Sequence, residues 1–252
     1  MFEILILSIV QGVTEFLPIS SSSHLIVFSR FLEFENQSLY LDVSLHIGSF
    51  LAIITYFNKD IYNFIENKKI FINILIASIP LILIGYFLVK TNLINELRNI
   101  KIIGWMTIIF GILLFVSDKF KLKKSLKNDL SIKSALFIGA FQIFSLIPGV
   151  SRSGVAISAA RLLNFKRYDS AKISFLLSIP TLGAVSFYGF YNIIISNEVR
   201  FTELNVSSIL LSFLFSLITI KFFLEYIKKF SLNLFVLYRV FLGVFLLTLA
   251  YL

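Results

Sequence analysis

The sequence predicts an all-α, polytopic membrane protein built from two inverted-topology repeats, each containing a re-entrant helical hairpin. Three observations carry that expectation. Of the 252 residues, 58% are hydrophobic and 15% charged, against roughly 45–50% and 25% in soluble domains. Residues 70–89 and 173–197 carry no charged side chain, and each run exceeds the roughly eighteen residues that mark a transmembrane helix. Two Pro/Ser stretches, at 18–23 and 148–153, interrupt apolar runs whose flanking loops carry opposite charge.

Charge clusters divide the chain into apolar segments at 4–32, 43–58, 70–89, 102–117, 134–163, 173–197, 204–227 and 230–252. They fill one integral membrane domain over 1–252. The first segment places Gln11, Glu15 and His24 among apolar residues and lacks a basic start, so it reads as mature protein rather than a cleaved leader. Cytoplasmic loops collect lysine and arginine, which assigns to that side the loop 118–133 with Lys119, Lys121, Lys123, Lys124, Lys127 and Lys133. Lys59, Lys68 and Lys69 mark a second such loop, and Arg161, Lys166, Arg167 and Lys172 a third. The linker with Glu33, Glu35 and Asp42 reads as external. Segment 134–163 therefore enters and leaves on the cytoplasmic side, and segment 4–32 begins and ends outside.

Two hairpins dipping in from opposite faces satisfy both constraints. A shift of 130 positions superposes Pro18 on Pro148, Ser21 on Ser151, Ser23 on Ser153, Leu32 on Leu162 and Ser44 on Ser174. Repeat 1 spans about 1–117 and repeat 2 about 134–252, joined by the Lys-rich loop. Such repeats place a site at the midplane between broken helices, and irregular backbone at that depth must line a cavity or be covered by protein.

Composition excludes several classes. The balance of 23 Lys plus Arg against 14 Asp plus Glu gives +9, which in a membrane protein reports cytoplasmic loops and anionic headgroups rather than nucleic acid. With no cysteine, a disulfide framework, a Cys-ligated zinc and a cysteine nucleophile are all excluded.

Gln11 and Glu15, spaced i, i+4, project from one helix face, and a carboxylate at that depth faces a cavity or a partner. His24 follows three residues after Ser21. Arg152 sits in Pro148-Gly-Val-Ser-Arg-Ser-Gly154 after an uncharged run, where a bound anion or a buried acid offsets its desolvation. Serines, glycines and a helix start beside a planar cation suit phosphate, and an ion pair to Glu15 is compatible with that role. His46 reads as a packed or hydrogen-bonded structural histidine. Arg239 reads as either a second anion contact or a partner of Glu225, and the 29 phenylalanines as packing and lipid-facing residues.

The run Gln11-Gly-Val-Thr-Glu15-Phe-Leu-Pro-Ile-Ser-Ser-Ser-Ser-His24 resembles the Glu/Gln-x-x-x-Glu signature and following Pro-x-Ser-Ser-x-x-His of undecaprenyl-diphosphatases, the bacitracin-resistance phosphatase family. Pro148-Gly-Val-Ser-Arg-Ser153 resembles that family's Pro-Gly-x-Ser-Arg-Ser motif. The stretch 175–180 and the Tyr238-Arg239 pair are also similar to family positions, so the resemblance covers essentially the whole chain. It departs at Gln11, an accepted variant of the first acidic position, and at Ala156, where the family often carries threonine.

The resemblance implies a multi-pass enzyme of the bacterial inner membrane. It would hydrolyse undecaprenyl diphosphate to undecaprenyl phosphate and inorganic phosphate, recycling the carrier for cell-wall synthesis. It further implies a divalent cation, Mg2+ or Ca2+, held by Glu15 with help from Gln11. Arg152 would take phosphate oxygens, with Ser151 and Ser153 as donors and Gly149 and Ser22 in the binding surface. His24, with Ser21 adjacent, would attack phosphorus or activate water, and the choice between them stays open. Expected partners are the polyprenyl diphosphate and membrane lipids, with no nucleic acid and room for a homodimer. The rival expectation is an anion or lipid-phosphate transporter or flippase using the same repeat. The motifs of phosphatidic-acid-phosphatase-type enzymes are absent.

Overall fold

A computed structural model of the chain describes residues 2–32, 39–63, 68–91, 93–195 and 203–252. The linker positions Glu33 and Glu35 and the segment end at Ser196 and Asn197 lie outside them. The helices run α1 (Phe2–Thr14), α2 (Ser21–Leu32), α3 (Leu39–Tyr56), α4 (Asn58–Asn63), α5 (Lys68–Lys90), α6 (Leu93–Glu96), α7 (Ile100–Asp118), α8 (Leu126–Asp129), α9 (Ile132–Gln142), α10 (Arg152–Leu162), α11 (Arg167–Ile195), α12 (Glu203–Lys229) and α13 (Asn233–Tyr251). The described residues are all-helical apart from turns and one isolated bridge between Lys124 and Phe165. Helices α5, α7, α11, α12 and α13 are long and apolar enough to cross a membrane.

The two segments singled out by their Pro/Ser stretches are both broken. Their pieces α1, α2, α9 and α10 have 13, 12, 11 and 11 residues; at about 1.5 Å per residue each is well short of the roughly 30 Å hydrocarbon core. Proline explains the second break. Ile147, before Pro148, is extended at φ −85°, ψ 120°, as the proline ring requires of its predecessor. A single 3-10 turn, Ile143–Leu146, tightens the approach.

Each break closes with a serine in the left-handed region, Ser20 at φ 75° and Ser151 at φ 69°, directly before α2 and α10. These two positions are 131 residues apart, one more than the sequence shift. The matched Pro and Ser letters and the matched backbone positions are therefore out of step by one residue, and Gly149, at φ 100°, gives the second turn a left-handed residue for which the first has no counterpart.

Around the breaks the long helices form the wall. Helix α12 lies on α3 and α1, α13 on α7, and α11 on α3. The α3–α12 approach is close enough that a Cβ on Gly48 would stand 2.5 Å from the Ile209 carbonyl oxygen, so glycine is required there. Aromatic edges fill the centre: Phe16 meets Phe175 edge-on at 5.3 Å, and Phe175 contacts Phe223 at 5.8 Å.

Helix α11 begins six residues earlier than the apolar run at 173. Its charged first turns remain helical because they are used: Asp169 accepts from the Leu126 amide at 3.0 Å, and Lys172 pairs with Asp60 at 2.6 Å. On the same side Asp118 accepts both Arg167 Nε and Nη2, at 2.7 and 2.9 Å. Arg161, counted in the sequence as a loop cation, is fully buried. It donates to the carbonyls of Asp118, Phe120, Lys121 and Phe165 and lies 3.5 Å from Asp118.

Candidate functional site

The two turns meet at one ion pair. Arg152 Nη2 donates to Glu15 Oε1 at 2.7 Å, across 137 residues of sequence. The other carboxylate oxygen accepts from Ser21 Oγ at 2.6 Å and from Gln11 Nε2 at 3.1 Å. Gln11 and Glu15 share a face of the α1 end, and Ser21 opens α2, so Glu15 is gripped by both sides of the first turn and by the second. Thr181 receives Arg152 Nη1 at 3.2 Å. It follows Pro180, whose missing amide loosens α11 locally, and its hydroxyl proton returns to the Leu177 carbonyl at 3.0 Å.

Gln11 Nε2 also donates to His46 Nδ1 at 3.1 Å, so His46 joins the cluster as the hydrogen-bonded residue the sequence suggested. Arg239 takes neither role read for it. It is fully buried and donates to the carbonyls of Gly149 at 2.7 Å, Val150 at 3.0 Å, Thr107 at 3.1 Å and Pro18 at 3.3 Å. One guanidinium thus ties both turns to α7 and α13.

The serines divide by where their single proton goes. Ser153 Oγ donates to the Leu17 carbonyl at 2.7 Å, another strap between the turns. With that proton committed, the 3.2 Å contact between Ser151 and Ser153 is donated by Ser151, whose oxygen meanwhile caps the Gly154 amide at 3.1 Å. The expected phosphate donors Ser151 and Ser153 are therefore engaged in holding the turn. The first-turn amides of α10, at Arg152 and Ser153, come before that helix's own bonding pattern and lie at the positive end of its dipole. Gly149 likewise turns its carbonyl to Arg239, and a Cβ there would stand 2.6 Å from the Ile103 oxygen. Ser22 is exposed and lies 3.4 Å from Ser20 Oγ. Ala156 is buried in the main apolar cluster.

His24 is placed apart from Glu15. Its Nδ1 lies 2.6 Å from the Ser20 carbonyl oxygen, and its Nε2 lies 2.6 Å from Tyr238 Oη. Since a carbonyl only accepts, Nδ1 carries the proton. Sequence reasoning missed Thr181 and Asp118, and it noted Tyr238 only within the Tyr238-Arg239 pair that resembles family positions, without a role.

For a divalent cation the donor set offers Glu15 and Gln11, whose Oε1 is buried without a hydrogen-bond partner. No group of three His, Cys, Asp or Glu side chains gathers among the described residues. Two oxygens on one face suit a cation that completes its shell with substrate phosphates and water, the usual manner of Mg2+, and do not suit a protein cage.

A family profile described as bacitracin resistance protein BacA matches residues 4–245. An undecaprenyl-diphosphatase of Pelagibacter ubique (strain HTCC1062) is 50% identical over 250 residues, covering 99% of this chain and 97% of the relative. Undecaprenyl-diphosphatases of Jannaschia sp. (strain CCS1) and Saccharophagus degradans are 36% and 39% identical, covering 100% and 94% of this chain and 99% and 93% of their own lengths. This multi-pass helical membrane chain, with its paired turns meeting at Glu15 and Arg152, belongs to the bacitracin resistance protein BacA family.

Proposed function

We propose that the chain is a membrane phosphatase that hydrolyses undecaprenyl diphosphate to undecaprenyl phosphate and inorganic phosphate, recycling the lipid carrier for cell-wall synthesis and so conferring bacitracin resistance. The observation that carries this reading is Glu15, held between a cation from the second turn and a hydroxyl from the first. Binding an anion for transport requires the cation alone. A hydroxyl donating at 2.6 Å to a buried carboxylate is equipped to become a nucleophile, which favours hydrolysis over the transporter reading.

In this reading Ser21 Oγ attacks the terminal phosphorus as its proton passes to Glu15 Oε2. The bond to the bridging oxygen breaks, undecaprenyl phosphate leaves, and water then clears the phosphoserine. Arg152 shifts its fork onto the phosphate oxygens, where charge stabilisation supplies most of the rate. His24, i, i+3 from Ser21 and on the same helix face, serves as the base for the water. The resting pair of Glu15 and Arg152 is neutral overall, and Arg239 spends its donors on carbonyls, so a multiply charged diphosphate needs further positive charge. A divalent cation, Mg2+ or Ca2+, would be held by Glu15 and Gln11 and would supply that positive charge when bound. Phosphate release from undecaprenyl diphosphate by the purified protein, with and without chelator, tests the activity and the cation together; no release under either condition refutes the reading.

The same proposal places the chain in the bacterial inner membrane as inverted repeats, about 1–117 and 134–252, with α1–α2 and α9–α10 as re-entrant hairpins and 118–133 as a cytoplasmic loop. A homodimer is compatible with it. With no native cysteine, single cysteines at Lys133 and Lys166 should both be shielded from an impermeant thiol reagent outside intact cells, while one at Thr91 should react. Labelling of Lys133 and Lys166 positions from opposite sides overturns the hairpin.

A further inference from the structure

The pair His24–Tyr238 carries a step that the site as described does not use. His24 is 6% exposed and Tyr238 39%, so of the two residues only Tyr238 reaches the surface of the molecule. The two rings are nearly parallel, at 11° with centroids 5.7 Å apart, and Oη stands 2.6 Å from Nε2. Because Nδ1–H is committed to the Ser20 carbonyl, the lone pair of Nε2 is the only basic site on the ring, and the Tyr238 hydroxyl covers it. Helix α13 cannot drift away from this contact, since the next residue, Arg239, fastens it to both turns through the Pro18, Gly149 and Val150 carbonyls.

We propose that His24 acts through Tyr238, which makes Tyr238 Oη the group that meets the reacting water. The inference rests on the reading of His24 as the base given above. In the step that needs a base, the attacking water gives one proton to Tyr238 Oη while Oη gives its own proton to His24 Nε2. The hydroxide adds to phosphorus, the bond from phosphorus to Ser21 Oγ breaks as Oγ takes back the proton left on Glu15 Oε2, and tyrosine remains neutral throughout. The imidazolium keeps Nδ1–H on the Ser20 carbonyl and returns its Nε2 proton by the same route. A Ser20 carbonyl, an imidazole and a phenol thus form one relay from a buried turn to the surface, with the backbone fixing the tautomer.

Three proteins test it: Tyr238→Phe, His24→Gln and the double variant, each assayed for phosphate release from undecaprenyl diphosphate. Tyr238→Phe keeps the ring and removes the relay. Its kcat is expected to fall by about two orders of magnitude, the scale of a lost acid–base group, with KM nearly unchanged. His24→Gln should fall as far, and the double variant no further, because groups that act as a unit lose their rate once. Wild-type turnover in His24→Gln refutes the reading of His24 itself. An inactive His24→Gln beside a wild-type Tyr238→Phe refutes the relay alone, as do multiplicative losses in the double variant. A faster Tyr238→Phe enzyme identifies the hydroxyl as a lock and also overturns it. The chain has two histidines, so the nitrogen-15 imidazole spectrum is assignable. Wild type should show His24 protonated at Nδ1 and accepting at Nε2, and Tyr238→Phe should lose only the accepting signature; a wild-type ring protonated at Nε2 overturns the proposal.

Discussion

Arg152 and Arg161 both begin or end α10, and both answer a buried carboxylate, yet they do opposite work. Arg161 is fully buried and donates to four carbonyl oxygens beside Asp118. Its Nε, the one nitrogen without a hydrogen-bond partner, is buried 3.5 Å from Asp118 and out of reach of a ligand. Arg152 is 16% exposed and donates to Glu15 and Thr181, so of its five N–H groups some remain for an incoming anion. Arg239 falls with Arg161: it is fully buried and donates to four carbonyls, three in the two turns and one on α7. A buried cation surrounded by carbonyls holds a fold together, whereas one with spare donors and a single carboxylate is poised to exchange partners.

The comparison breaks most sharply under truncation. Arg161→Ala leaves Asp118 less compensated and several carbonyls unpaired, and losing a buried partner of this kind costs about 3–5 kcal/mol. Little folded protein should be recovered, as size-exclusion chromatography in detergent would show. Arg152→Ala should yield folded protein whose hydrolysis falls by about two orders of magnitude or more, the scale of a lost transition-state charge contact. Arg152→Lys should recover only part of that, since lysine lacks the planar fork. A well-folded Arg161→Ala or an active Arg152→Ala would erase the distinction.

A second contrast lies within the serines. Ser21→Ala removes the hydroxyl on Glu15 and should abolish phosphate release. Ser153→Ala removes the strap to the Leu17 carbonyl, leaving a buried acceptor unpaired at a cost of about 1–3 kcal/mol; its signature is a lowered melting temperature with activity largely retained at low temperature. If Ser153→Ala is instead stable and inactive, Ser153 is a phosphate donor after all.

Much of this was legible in the sequence because burial of charge in lipid is so costly. Glu15, Gln11 and Arg152 announced themselves as polar residues in apolar runs, and proline with serine located both breaks. What stayed hidden depended on three-dimensional direction. Whether Ser151 and Ser153 aim at phosphate or at Leu17 and Gly154 turns on the left-handed backbone at Ser151, which no letter states. Arg239 and Arg161 look as available in sequence as Arg152 does. Asp118 looked like a loop boundary because its two arginines follow more than forty residues later. Tyr238, one of ten tyrosines, stood out only through the resemblance of the Tyr238-Arg239 pair, and its contact with His24 shows only in three dimensions.

Gln11 is uncharged, so the carboxylate duty rests on Glu15. Glu15→Gln should be inactive, whereas Gln11→Glu should be tolerated and should lower the divalent-cation concentration needed for half-maximal rate, by adding an oxygen anion to the same helix face. A Glu15→Gln enzyme that keeps its rate and cation response would make the carboxylate structural.

The smallest expected effect is at Ala156, where the family often has threonine. Near the Arg152 turn, a restored hydroxyl would be expected to help phosphate binding. The position argues otherwise: Ala156 is fully buried and packs in the cluster with Ile157, Ala159, Ala160 and Phe175. Two added heavy atoms there overpack a filled region, which costs about 1–3 kcal/mol, and the hydroxyl needs a partner, for which a helical threonine can use the carbonyl four residues back, at Arg152. Ala156→Thr should therefore lower the melting temperature slightly and leave kcat and KM for undecaprenyl diphosphate within about twofold, since the charge contacts that set the rate are untouched. A clear fall in KM would show that the hydroxyl reaches the phosphate, and would move the binding surface one turn deeper along α10 than Arg152 places it.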